Sequence, residues 1–110
     1  MGELFLGKPD EMVLAFDALL QTTSSWSPNS VGTATHSIVF TNSKAWLIVK
    51  PMKTVLDIKF YYHEEIPSDR FHKISNYFGK YAHHIRVSDA EQLDNEFFEL
   101  IKKGYDYALK

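Results

Sequence analysis

The stretch TVLDIKFYYH, residues 54–63, alternates without a break. Leu56, Ile58, Phe60 and Tyr62 fall on one side of an extended chain, and Val55, Asp57, Lys59 and Tyr61 on the other. Successive side chains of a strand point to opposite faces, so the pattern predicts a strand with one buried and one polar side. A sheet built on such a strand needs a cover on its apolar face only.

Working outward, two shorter apolar runs precede it. HSIVF (36–40) ends at TNSK, and AWLIV (45–49) ends at KPMK, where Pro51 punctuates the chain. Turns this short imply an antiparallel meander. Further upstream, QTTSSWSPNSVGTAT (21–35) is polar and long, and predicts a loop. A helix is expected before it. Pro9 fits a first helical position, Asp10 and Glu11 complement the helix N-terminus, and Met12, Val13, Phe16, Leu19 and Leu20 form its stripe.

Downstream, IPSDRFHKISNYFG (66–79) predicts a short helix. Ser68 is its N-cap, Phe71, Ile74 and Phe78 share a face, and Gly79 is its stop. YAHHIRV (81–87) reads as a fourth strand. The segment from Ser88 onward predicts a long helix, with Ser88 and Glu91 as a capping box and Leu93, Phe97, Leu100, Ile101 and Ala108 as its inner stripe. Gly104 interrupts that helix and suggests close approach to the sheet. The expectation is a single α+β domain over residues 1–110, of order α-β-β-β-α-β-α. Its one four-stranded, mainly antiparallel sheet carries the helices, and the edge joined by the fourth strand is left open.

Composition narrows the function classes. A chain of 110 residues that is 45% apolar and 15% aromatic can build one core without staples. There is no cysteine, which removes disulfides, thiolate zinc sites and cysteine nucleophiles. The net charge of -2 does not favour nucleic acid or anionic membrane as a partner of the whole surface. The longest apolar run, Ala45–Val49, is too short to span a membrane, and Leu6 stands where a myristoylation frame wants Ser or Thr. A soluble, cytoplasmic protein is expected, with no membrane partner.

Chemistry concentrates at the paired histidines. In the strand 81–87, Tyr81, His83, Ile85 and Val87 share one face, so His83 faces the core or its rim. His84 and Arg86 then lie on the polar face, and the two adjacent histidines cannot easily ligate one ion. Asp57, Lys59 and Tyr61 join His84 and Arg86 if the two strands are neighbours. These five residues form the candidate ligand-binding set, with Trp26 and its loop as a lid. Arginine's fork suits carboxylates and phosphates. The plainer reading is a solvated strand face with charge pairs to Asp57, with Trp26 plugging the core and the tyrosines lining its rim or a subunit interface.

No catalytic residue, metal ligand or cofactor is assigned. The serines at 24, 25, 27 and 30 lack a nucleophile-elbow surround, the glycines are isolated, and the histidines lack metal-ligand spacing. The leading reading is a non-enzymatic binding or accessory module. It would recognise a small anionic molecule or a partner protein, and a homodimer would suit its tyrosines. Two alternatives remain. One is a nucleic-acid-associated module of a restriction or defence system, which needs a local basic or aromatic patch. The other is a small hydrolase or isomerase with a histidine base, which needs a pocket holding His84 or His83 beside a carboxylate.

The closing segment YAHHIRVSDAEQLDNEFFELIKKGYDYAL (81–109) resembles the end of the bacterial domain of unknown function 5655 family. The matching elements are His83-His84, Arg86, Ser88, Leu93-Asp94 and Gly104-Tyr105. HSIVFTNSKAWLIVKPMKTVLDIKFYY (36–62) resembles its middle, with a strand ending in Phe40. The resemblance covers roughly residues 10 to 108. It implies a compact α+β domain that occurs alone or as a C-terminal module of predicted transport or nuclease-like proteins. It carries over no catalytic residue. IKFYYH and SDRFHKISNYFG depart from the family pattern.

Overall fold

The computed structural model describes residues 2–110. A 3-10 turn (Gly2–Phe5) leads into α1 (Asp10–Thr23), then β1 (Ser30–Thr33), β2 (Ile38–Thr41), β3 (Ala45–Pro51) and β4 (Leu56–Tyr62). β5 (Lys73–Tyr77) and β6 (Lys80–Val87) follow, then a 3-10 turn (Ala90–Gln92) and α2 (Asn95–Leu109). The strands form one six-stranded sheet in the order β1-β2-β3-β4-β6-β5, and every pair is antiparallel.

The α+β class and the meander stand as expected, but the sheet has six strands rather than four. The expected helix over 66–79 is instead a loop followed by β5. Phe71, Ile74 and Phe78 are spaced as on a helix, yet Ile74 pairs with His83 within a hairpin. Gly79 has φ 84 and Phe78 has φ 52, and both sit between the paired residues Tyr77 and Lys80. Positive φ at both central residues marks a two-residue type I′ hairpin turn. A glycine at positive φ serves a helix stop and a hairpin turn equally, which is why Gly79 misleads. Ser68 accepts a hydrogen bond from the Arg70 backbone N–H at 3.1 Å, a local turn rather than a helix cap. The polar loop over 21–35 yields β1, an edge strand with mostly exposed side chains that pairs along β2.

Both helices cover one face of the sheet. There, directly paired residues stack in rows across the strands. Ile38, Val49, Ile58 and Ile85 form one row, and Phe40, Leu47, Phe60 and His83 the next. All eight are buried. α1 contributes Met12, Ala15, Phe16 and Leu19, whereas Val13 turns outward. Pro9 stands just outside the helix as its N-cap rather than at its first position. α2 contributes Phe97, Leu100, Ile101, Tyr105 and Ala108. Its start is later than the capping pattern suggests. Asp89 and Gln92 cap the 3-10 turn, and Asp94 caps α2 by accepting from the Phe97 N–H at 2.9 Å. Arg70 clamps this corner, donating to Asp94 at 2.9 Å, Glu96 at 2.8 Å and the Gln92 carbonyl at 2.8 Å. It thereby ties the β4–β5 crossing to the head of α2.

Two contacts fix the spacing of the layers. A Cβ at Gly104 would lie 2.7 Å from Phe60 Cδ2 and 2.9 Å from its Cβ, so α2 rides directly on Phe60. The His83 ring stacks on that of Phe60, with centroids 5.1 Å apart and an interplanar angle of 4°. His83 is fully buried and fully paired. Its Nε2 accepts from the Ile66 N–H at 3.1 Å, and its Nδ1–H donates to the Tyr81 carbonyl at 3.0 Å. Those partners require the neutral ring protonated at Nδ1.

Two outcomes follow. Gly104→Ala gains helix propensity, but the methyl meets the stem of a buried phenylalanine and overpacks the interface. It should destabilise by about 1–3 kcal/mol, read as a fall of several degrees in thermal midpoint; an unchanged or higher midpoint would refute the close contact. Burial holds the His83 imidazole below its ordinary pKa of 6.5. Its stabilising contribution is therefore intact above that value and is lost as pH falls through the lower folded-state pKa. Urea unfolding should give falling stability on acidification below that unfolded value, with the loss reduced in His83→Gln; identical pH profiles would contradict it.

Candidate functional site

Among the described residues no helix covers the opposite face of the sheet, and the alternation that fills the core puts a second set of rows there. Ile48, Lys59, His84 and Lys73 lie side by side across β3, β4, β6 and β5. In the adjoining row Lys50, Asp57 and Arg86 align. Beyond the first row, on its other side, Tyr61 pairs with Ala82. β4 and β6 are neighbours, so the condition for bringing Asp57, Lys59 and Tyr61 beside His84 and Arg86 is met.

The two charged rows floor a depression of about 440 Å³, rimmed also by His36 and Ser37. Asp57 is its centre. Asp57 Oδ2 accepts from His84 Nδ1 at 2.9 Å, and Arg86 Nε lies 3.6 Å from Asp57 Oδ1. The Asp57 and His84 side chains are 14% and 13% exposed, while that of Arg86 is 39% exposed. An ionised carboxylate only accepts, so Asp57 fixes the proton of a neutral His84 on Nδ1 and leaves Nε2 untied to Asp57.

Charge is unevenly placed. Lys50, Lys59, Lys73 and Arg86 surround the single carboxylate of Asp57. With neutral histidines the depression is therefore cationic inside a chain of net charge -2. Fields from exposed charges fade over about 8 Å at physiological salt, so this local sign governs what is attracted here.

Tyr61 adjoins the depression. Lys59 Nζ lies 5.5 Å from its ring centroid and Lys80 Nζ 4.3 Å, and the Tyr77 ring stands at 5.7 Å. Trp26 does not belong here, which corrects the expected lid. It packs on the helix side, 5.7 Å from Trp46 and 5.4 Å from Tyr105, with the sheet between it and His84. A bulge after Phe40 lets both Trp46 and Leu47 turn to the core. Trp46 Nε1–H bonds Asn29 Oδ1 at 3.0 Å and the Tyr105 hydroxyl bonds the Pro28 carbonyl at 2.8 Å, so the Trp26 loop is fastened to that end of the core. His83 lies on the core face as expected.

Sequence reasoning missed Lys50, Lys73 and His36. Lys50 was readable, since it shares the alternation of Ile48 along β3. Lys73 was hidden by the helical reading of its segment. His36 lies in a loop, where no periodicity places it.

None of the described helices is long and apolar enough to cross a membrane. No curated protein and no solved structure matches the chain. A family model does match, that of the Domain of unknown function (DUF5655), over residues 1–108. With the match running from the first 3-10 turn through α2, the chain belongs to the DUF5655 family.

Proposed function

We propose that the helix-free face binds a small anionic ligand, with Arg86, Lys59 and His84 as its main contacts. The observation that carries this reading is four cations gathered around one carboxylate in a single open depression. Asp57 acts as an orienter rather than a contact. It bonds His84 and lies against only the Nε edge of Arg86, so the other guanidinium donors are left for a ligand, and charge-assisted bonds of that kind are the strong ones. Four like charges side by side repel one another, and an incoming anion relieves that repulsion. Phosphate and carboxylate share the required chemistry.

A second reading rests on the His84–Asp57 pair alone. A histidine held by a carboxylate at 2.9 Å, in a basin lined by cations, is the arrangement of a general base beside a stabiliser of negative charge. It would make the domain a small hydrolase acting on a phosphate or carboxylate ester.

An amide-correlation NMR titration with inorganic pyrophosphate at low salt tests the first reading. Shifts should cluster on residues 57–61 and 84–86, and Arg86→Ala should weaken binding about tenfold, in line with loss of a charged hydrogen bond. Absence of shifts there at millimolar pyrophosphate would remove the reading. For the second, wild-type protein should cleave an activated phosphodiester such as bis(4-nitrophenyl) phosphate, and His84→Gln should lower the rate about a hundredfold or more. A wild-type rate equal to buffer disposes of the catalytic role without touching the binding one.

A further inference from the structure

The hairpin beside the cationic depression carries an aromatic at a costly position. Phe78 is 91% exposed, contributes nothing to the core, and has φ 52, a backbone conformation that favours glycine, asparagine or aspartate. Neither packing nor turn chemistry calls for phenylalanine there. Its ring stands 4.8 Å from that of Tyr77, itself 48% exposed, and Tyr77 in turn stands 5.7 Å from Tyr61. The three rings form a chain that starts beside Lys59 and ends at the hairpin tip. Lys59 belongs to both regions, lining the depression and standing 5.5 Å from the Tyr61 centroid. Lys80 covers the same ring at 4.3 Å. Along β6, Arg86 to Lys80 spans about 20 Å at strand rise.

From this juxtaposition we infer that the anion belongs to a single-stranded nucleic acid. Its backbone phosphates occupy the depression at Arg86, Lys59 and Lys73, and its bases stack on Tyr61, Tyr77 and Phe78. The inference rests on the anion-binding reading above and adds the platform. Charge complementarity selects a polyanion, and exposed rings interleaved with lysines select one with flat, stackable groups. A duplex keeps its bases stacked inside and would leave the rings unused, so the unpaired strand is the form that fits. Recognition is of backbone and base faces, without a base-edge code.

The test is fluorescence anisotropy of the full chain at low salt with a labelled short oligothymidylate. An abasic deoxyribose-phosphate oligomer of equal length and pyrophosphate serve as competitors. The oligothymidylate should bind about tenfold or more tighter than the abasic oligomer. Its affinity should fall with salt with a logarithmic slope of about -2, as expected for three neutralised phosphates on a single strand. Phe78→Asn relieves the turn and should raise the thermal midpoint, yet weaken the oligothymidylate about fivefold or more while leaving the abasic oligomer unchanged. Lost binding in a more stable variant cannot be unfolding. Equal affinity for the two oligomers, no effect of Phe78→Asn, or binding of phosphatidylserine vesicles in place of the oligothymidylate would each overturn the inference. If pyrophosphate binds in an Arg86-dependent way while bases add nothing, only the platform falls. If Arg86→Ala changes neither ligand, the anion site falls with it.

Discussion

The registration of β4 against β6 is the constraint on which the rest of the molecule depends. It sets Ile58 against Ile85 and Phe60 against His83 on one side, and Asp57 against Arg86 and Lys59 against His84 on the other. A slip of one residue would send the charges into the core and the apolar rows into water. Core and site are thus two sides of one ladder. Burying the apolar rows supplies the free energy that holds Asp57 within reach of His84, and the polar face makes no separate demand on the fold.

Phe60 is the point where that ladder meets the helical layer. Gly104 presses on its stem from α2, and the His83 ring lies parallel to it within the sheet. His83 is polar yet needs no solvent, because Ile66 and Tyr81 satisfy both ring nitrogens. The bond from Ile66 also anchors the crossing that lets β5 take the outer edge, while Arg70 anchors the same crossing to α2. The paired histidines therefore divide their work. His83 secures the path of the chain, and His84 faces the depression.

Much of this was legible in the sequence, and the reasons for the rest are physical. Uninterrupted alternation in 54–63 and 81–87 placed the core rows and brought most of the candidate residues onto one face, because period two is unambiguous when one face is buried. Gly104 announced close packing because a helix interior rarely tolerates glycine without cause. The segment 66–79 failed because Phe71, Ile74 and Phe78 satisfy a helical spacing by coincidence, with Phe71 in the crossing loop, Ile74 inward from the sheet and Phe78 out in water. β1 failed because an edge strand is defined by its partner's free hydrogen bonds more than by its own residues. Trp26 failed because a loop has no period, and its docking place depends on the Trp46 bulge, a departure from alternation that composition does not signal.

The sign of the charge on the open face has a consequence for how a ligand arrives. Removing Lys50, Lys59, Lys73, Arg86 and Asp57 from the count leaves eight cations against thirteen acids over the rest of the chain, a net -5. The positive charge gathered on the bare side of the sheet is thus set in a chain that is otherwise acidic. Were the proposed anion the ligand, this local sign would draw it to the bare face against an acidic background. Encounters with that ligand would then be sorted during diffusion, before any hydrogen bond forms, and selectivity in association rate would come from a charge balance that, summed over the chain, looks unremarkably acidic.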